Sequence, residues 1–239
     1  MYENGYVEVY DLLMRNRPKD YAAEAADVAR LARERKPGAS SLLDVACGTG
    51  LHLEHSVKLF DRVVGLDQSA DMLAFARRRM PGLDILRGDM RDFDAGAKFD
   101  VITCMFAVPH LDSAAELQTM VDCFVRHLEP GGVLVVEPWR TTEQFTEGYV
   151  ATDLIEAGEW KIFRASHSTY HPDRADQARM VVHYASVHLK SGIQHFTDTV
   201  ELTFFEPEHY EAAFRAAGCR AEFLPGGRFT QGLWIAQRD

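Results

Sequence analysis

The sequence predicts an α/β fold, a doubly wound, mostly parallel seven-stranded sheet with an inserted antiparallel β meander. Three observations lead there. Between residues 42 and 137, apolar runs of strand length alternate with amphipathic runs of helix length, as when strands buried on both faces are joined by crossover helices. The first run, LLDV, breaks at once into a turn holding Gly48 and Gly50. Past Trp139 the apolar period changes to two and turn residues separate consecutive runs, as in strands joined by short hairpins.

In chain order, residues 2–20 carry Tyr2, Tyr6 and Tyr10 at four-residue spacing. A helix puts all three rings on one face, either as a packing stripe or as an amphipathic lid over a pocket. Residues 16–20 (NRPKD) read as a turn, and Asp20 as the N-cap of the alanine-rich helix YAAEAADVARLARER, whose last turn is basic and which Pro37-Gly38 ends. After LLDVACGTG, residues 51–60 are helix-compatible, and residues 63–67 (VVGLD) form a second strand that ends in Asp67, nineteen positions beyond Gly48. Ser69 or Asp71 caps a helix through Met80, with Arg77, Arg78 and Arg79 as its solvated last turn. Residues 83–86 make a short strand that delivers Gly88-Asp89-Met90 to the carboxyl end of the sheet.

Residues 99–106 (FDVITCMF) are the central strand, and residues 111–128 an amphipathic helix. Glu129-Pro130-Gly131-Gly132 precedes the fifth strand, residues 133–137. Three runs then alternate as strands, 159–170, 179–189 and 193–205, before a helix over 206–218 and two closing strands of the main sheet, 221–224 and 233–236.

The 239 residues suffice for one domain with an elaboration, and a net charge of -10 disfavours nucleic acid as a partner. Cys47, Cys104, Cys123 and Cys219 are too scattered for a zinc module or a disulfide framework, so free thiols in a reducing cytoplasm are expected. No apolar run reaches the roughly 20 residues of a bilayer span, and MYENGYVEVYD lacks the basic start of an export signal. The five histidines from His167 to His195 have no matching carboxylates in ligand spacing, and His52 and His55 could share a helix face but lack a third ligand, so no metal is expected.

The chemistry lies in the glycine turn. Gly48 and Gly50 bring bare backbone close to a ligand, and Asp67 stands at the spacing that meets ribose hydroxyls. A pyrophosphate cofactor calls for G-x-G-x-x-G, but the third glycine here is Leu53. His110, fixed by Pro109 just after the fourth strand, titrates near neutrality and is the candidate to take a proton from a nucleophile or to orient it.

With Asp67, Gly88-Asp89-Met90 and HLEPGG, the turn resembles motif I of the class I S-adenosylmethionine-dependent methyltransferases. The likeness extends over nearly the whole chain through YDLL, KDYAAEAADVA, SLLDVACGTG, GDMRDF, VVEPW, SHS and YEAAFRAAG, which are similar to bacterial N-methyltransferases that dimethylate TDP-deoxyamino sugars. The resemblance implies a Rossmann-like S-adenosylmethionine domain over 1–138 and 205–239, with a substrate-cover or oligomerisation insert over 139–204. It implies cofactor contacts from Tyr10, Tyr21, Asp44, Ala46, Gly48, Gly50, Asp67, Gln68, Asp89, Met90 and Met105, with Asp67 on the ribose and Asp89 on the adenine. Tyr2 and His110 fall near the reacting amine as the catalytic candidates, and Trp139, Arg164, Ser166, Ser168 and Arg228 on the sugar nucleotide.

EPWRTTE after the fifth strand and FTQGL near the end depart from the family pattern, which carries an arginine before the terminal Gly-Leu; Arg140 or Arg228 is the replacement to look for. A homo-oligomer is expected, acting on a small molecule without metal. Transfer to nitrogen or oxygen of another small metabolite is the alternative, ahead of a dehydrogenase or a non-catalytic binding protein.

Overall fold

The computed structural model describes residues 6–239. The chain runs α1 (Tyr6–Asn16), α2 (Tyr21–Arg35), β1 (Ser41–Val45), α3 (Leu53–Ser56), β2 (Arg62–Asp67), α4 (Ala70–Arg79), β3 (Asp84–Arg87) and β4 (Phe99–Met105). A 3₁₀ turn (Val108–His110) leads to α5 (Ala114–Arg126), β5 (Leu128–Glu137), β6 (Tyr149–Ala157), β7 (Trp160–His171), β8 (Arg174–His188), β9 (Gly192–Thr203), α6 (Pro207–Ala216), β10 (Cys219–Leu224) and β11 (Leu233–Arg238).

Seven strands form one sheet in the order β10-β11-β5-β4-β1-β2-β3. β1 to β5 are parallel, and β11 returns antiparallel beside β5. Strand alternation assigns the two cores. Leu43, Ile102 and Leu134 pack with Leu117, Met120 and Phe124 of α5 and Phe214 of α6. Their neighbours Leu42, Val101 and Val133 face the other way, onto Val28, Ala29 and Ala32 of α2. Strands buried on both faces need continuous apolar runs, and this is why they were readable. The chain winds from β1 outward through β2 to β3 and then crosses back to β4 on the other side of β1, so the sheet's switch point opens at the carboxyl ends of β1 and β4.

The remaining four strands form a separate antiparallel meander, β6-β7-β8-β9. The sequence led us to expect three. β6 is the unanticipated one: it is an edge strand paired to β7 alone among the described strands, and its apolar Val150 and Leu154 are 61% and 71% exposed. A strand half in water and unpaired on one side leaves little periodic signal.

Two helices are shorter than expected. Residues 51–60 yield only α3, because their hydrogen bonds mix three- and four-residue spacings, as in His55 N–H to His52 O and Ser56 N–H to His52 O. The helix predicted over 111–128 starts at Ala114, where the Ser113 hydroxyl accepts from the Glu116 N–H.

Candidate active site

Two non-glycine residues among those described have left-handed backbones, Ala46 (φ 59°) and Phe106 (φ 58°), and each directly follows a strand flanking the switch point, β1 and β4. Strain of this kind persists only where surroundings enforce it, and it gathers at functional sites. Ala46 leads into the glycine turn. There Gly48 (φ 56°) presents a face on which an added Cβ meets no atom within 4 Å, whereas one at Gly50 (φ 83°) would stand 2.5 Å from Met80 Cε. Bare backbone faces outward at Gly48 and packs tightly at Gly50.

Asp67 closes the turn from β2. One carboxylate oxygen accepts from the Gly48 N–H at 2.9 Å and the other from the Ser69 N–H at 2.8 Å. Burial raises its carboxyl pKa, against those backbone donors. Two amides thus aim a half-buried carboxylate that keeps further acceptor capacity, which suits a vicinal diol.

α1 lies over this end of the sheet. Burial pushes the Tyr10 hydroxyl up to about 12, with Tyr184 of β8 next among the causes and Asp67 also within electrostatic reach. Burial also raises Tyr21, with Tyr10 the next cause. Tyr6 packs edge-on against Tyr184 and Phe196 of the meander, its hydroxyl 3.2 Å from that of Tyr184. Tyr2 lies outside the described residues.

His110 ends the 3₁₀ turn. Its side chain is reached by solvent yet surrounded by protein, as in a cleft, and burial lowers its pKa against the nearby charges of Asp67 and Asp198. Asp198, on β9, was not singled out from the sequence; it sits in a polar alternating run with no motif.

Other candidates are placed differently. Asp44 is 3% exposed and accepts from the Thr103 hydroxyl at 2.7 Å through one carboxylate oxygen, which ties β1 to β4. Asp89 is held by Arg91, through Nη2 at 2.6 Å and the backbone N–H at 2.9 Å. Gln68 is exposed, while Met90 and Met105 are half-buried. Trp139 stacks on Phe204 at 5.4 Å. Arg164, Ser166 and Ser168 alternate along the buried face of β7, with Arg164 paired to Asp153 at 3.2 Å. Arg228 pairs with Asp27 of α2 at 3.1 Å, whereas among the described residues Arg140 meets the Gln144 carbonyl and the Tyr149 ring and no carboxylate.

The expectation of three solvated arginines ending α4 holds for Arg77 and Arg78, which are exposed, and is corrected at Arg79. Arg77 donates to the Ile85 carbonyl at 2.8 Å. Arg79 is 9% exposed and pairs with Asp11 of α1 at 2.6 Å, while donating to the Thr49 carbonyl at 2.7 Å. The Thr49 hydroxyl donates to the same Asp11 at 2.7 Å. A second ionic group joins Lys19 to Glu24 and Glu137, with His52 Nε2 2.8 Å from Glu24. Both partnerships span distant segments, which local spacing cannot reveal. Among the described residues no three His, Cys, Asp or Glu side chains group as metal ligands, no helix is long and apolar enough to cross a membrane, and the four cysteines are free thiols.

Residues 42–132, from β1 into β5, match a family described as a methyltransferase domain. The chain is 48% identical over 236 residues, 98% of both chains, to dTDP-3-amino-3,4,6-trideoxy-alpha-D-glucopyranose N,N-dimethyltransferase of Streptomyces venezuelae. It is 47% identical to dTDP-3-amino-3,6-dideoxy-alpha-D-glucopyranose N,N-dimethyltransferase of Streptomyces fradiae, over 98% of this chain and 91% of that one. Its fold superposes on the crystal structure of Streptomyces venezuelae DesVI with a TM-score of 0.94 at 46% identity, all of both chains covered. SAM-bound CalS10, an amino pentose methyltransferase from Micromonospora echinaspora involved in calicheamicin biosynthesis, gives 0.87 at 42% identity, again over all of both chains.

Proposed function

The chain belongs to the methyltransferases, in the family of dTDP-amino-sugar N,N-dimethyltransferases, and from that premise we propose that it methylates the amino group of a dTDP-linked deoxyamino sugar in natural-product biosynthesis, with S-adenosylmethionine as methyl donor. The observation that carries the reading is identity of 41% to 48% over at least 98% of the chain to three enzymes named for that reaction. The insert takes part in the match along with the cofactor-binding half.

The residues at the switch point fit the cofactor, since the open face of Gly48 and the oriented Asp67 carboxylate suit an amino-acid chain and a ribose diol. When bound, S-adenosylmethionine supplies a sulfonium methyl group to a nucleophile. In this reading Asp67 accepts the ribose hydroxyls, the turn from Ala46 to Gly50 carries the methionine portion, and Asp89 and Met90 border the adenine, with Gln68 at its rim. Tyr10 and Tyr21 close over the crevice from α1 and α2. Met105 and Phe106 form its floor where β4 ends. Trp139, Arg164, Ser166 and Ser168 receive the sugar nucleotide, and Arg140, whose guanidinium has no carboxylate partner among the described residues, serves its diphosphate in place of Arg228, which is held by Asp27.

Rate comes from alignment and from exclusion of water around the reacting centre. An amine must shed its ammonium proton before it attacks, and neutral His110 takes it or orients the freed amine; by family resemblance alone, Tyr2 is the second catalytic candidate. We place this chemistry in the cytoplasm, on a free small molecule, without nucleic acid, membrane or metal, in a homo-oligomer.

The test incubates the protein with S-adenosylmethionine and dTDP-3-amino-3,6-dideoxyglucose, following S-adenosylhomocysteine and product mass. A gain of two methyl groups is expected. Turnover only with a non-sugar amine or a hydroxyl acceptor would replace the reading by its alternative.

A further inference from the structure

β9 crosses in front of the 3₁₀ turn that carries His110, and the two elements pack together. Along β9 the residues alternate: His195, Thr197 and Thr199 are exposed on the outer face, while Gln194, Phe196, Asp198 and Val200 are half-buried on the inner one. The direction of that inner face is fixed by Phe196, whose ring stands 5.9 Å from Tyr6 of α1, and by Val182, the buried register partner of Asp198. Asp198 is thus an acid delivered by the cover to the same space that His110 faces from the sheet.

Its state differs from that of the other inner-face acid. Asp153 is held by Arg17 at 2.8 Å and Arg164 at 3.2 Å. Among the described residues no ion pair or hydrogen-bond donor reaches the Asp198 carboxylate, and His110 lies within its electrostatic reach. A half-buried carboxylate without a cation beside a solvent-reached imidazole is suited to a ligand that brings its own positive charge.

We propose that Asp198 binds the acceptor's ammonium group from the insert side, opposite His110, and so selects amines over hydroxyls. The inference rests on the amino-sugar reading above and adds to it the residue that recognises the amine. Charge-assisted N–H···O bonds hold the nitrogen while it is protonated. When the proton leaves toward the neutral imidazole, the nitrogen lone pair is freed at a point already fixed between β4 and β9. The monomethylated amine still has N–H donors as its ammonium, so the same carboxylate serves the second transfer.

The experiment compares the protein with its Asp198→Asn and Asp198→Glu variants. Calorimetry with S-adenosylhomocysteine present measures dTDP-3-amino-3,6-dideoxyglucose against the analogue with a hydroxyl at that carbon, and steady-state kinetics give KM and kcat. The unaltered protein is expected to favour the amine, and Asp198→Asn to lose about tenfold to a hundredfold of that preference, as for a hydrogen bond to a charged group. The loss is expected in acceptor KM, with S-adenosylmethionine affinity and thermal unfolding unchanged and partial recovery in Asp198→Glu. If Asp198→Asn keeps the preference while the unaltered protein methylates the amine, the assignment falls and the proposed function stands. If the unaltered protein binds neither sugar nucleotide, both fall.

Discussion

His110 is neutral at pH 7 and stays so further into acid than an ordinary imidazole, because burial lowers its pKa against Asp67 and Asp198. A base whose pKa is depressed is lost only as pH falls through that lower value. The acid limb it contributes to kcat/KM therefore begins below the usual value of about 6.5, separate from the limb set by the acceptor's own ammonium. In His110→Ala the lower limb is expected to vanish, with turnover falling by about 10²-fold and cofactor affinity by calorimetry nearly intact. Loss of cofactor binding instead would remove His110 from acceptor chemistry.

Phe106 poses the opposite case. Its left-handed backbone costs of order 1 kcal/mol, and its ring, 49% exposed, recovers little by packing. Phe106→Gly is expected to raise the unfolding midpoint by about 2–4 °C and to lower turnover, since the strained turn aims Met105 and the His110 loop. A midpoint that falls would mean that the ring packs better than its exposure implies.

At this scale the sequence disclosed residues whose role is set by immediate neighbours, such as Asp67 nineteen positions after Gly48. It hid Thr103, whose partner Asp44 comes from another strand, and Asp198, which only the packing of β9 on the 3₁₀ turn brings toward His110.

α1 shows what an element adds. One side of it carries Asp11, which receives the Thr49 hydroxyl and Arg79; the other carries Tyr6, packed on Tyr184 and Phe196. The helix therefore joins the glycine turn to the inner face of the meander, and cofactor and acceptor regions share a wall. The four-residue tyrosine spacing made the helix itself legible. Its second side was not, because Asp11 and Arg79 stand 68 residues apart and three consecutive arginines read locally as a solvated helix end. Removing one member of a buried ion pair leaves the other uncompensated, at about 3–5 kcal/mol. Arg79→Met is expected to lose stability on that scale in denaturant titrations and to weaken S-adenosylmethionine binding, with faster proteolytic cutting in α1. Arg79→Lys should recover part of each. Unchanged cofactor affinity in a destabilised Arg79→Met would confine the pair to packing.

Over the whole molecule, the doubly wound sheet was readable because burial on both faces demands unbroken apolar strands, while the meander was only partly so because one of its faces carries no main-sheet core. That same face bears on assembly. Leu154 and Phe163 are cross-strand partners, and Val187 and Ile193 are paired one step further along the outer side. All four are more than 40% exposed, on a sheet face that no helix of the described chain covers. An exposed contiguous apolar surface of this kind marks a contact site, and a face with short polar neighbours such as Thr152 and Thr197 suits the isologous packing of a second copy about a two-fold axis. The protein is expected to sediment as a homo-oligomer, and the double variant Leu154→Glu, Phe163→Glu as a monomer, because paired carboxylates facing their own copies repel and stay hydrated. Both substitutions lie on the side of the sheet away from Tyr6 and His110, so S-adenosylmethionine affinity should survive. An unaltered protein that sediments as a monomer at micromolar concentration, or a double variant that remains associated, would move the contact to another surface.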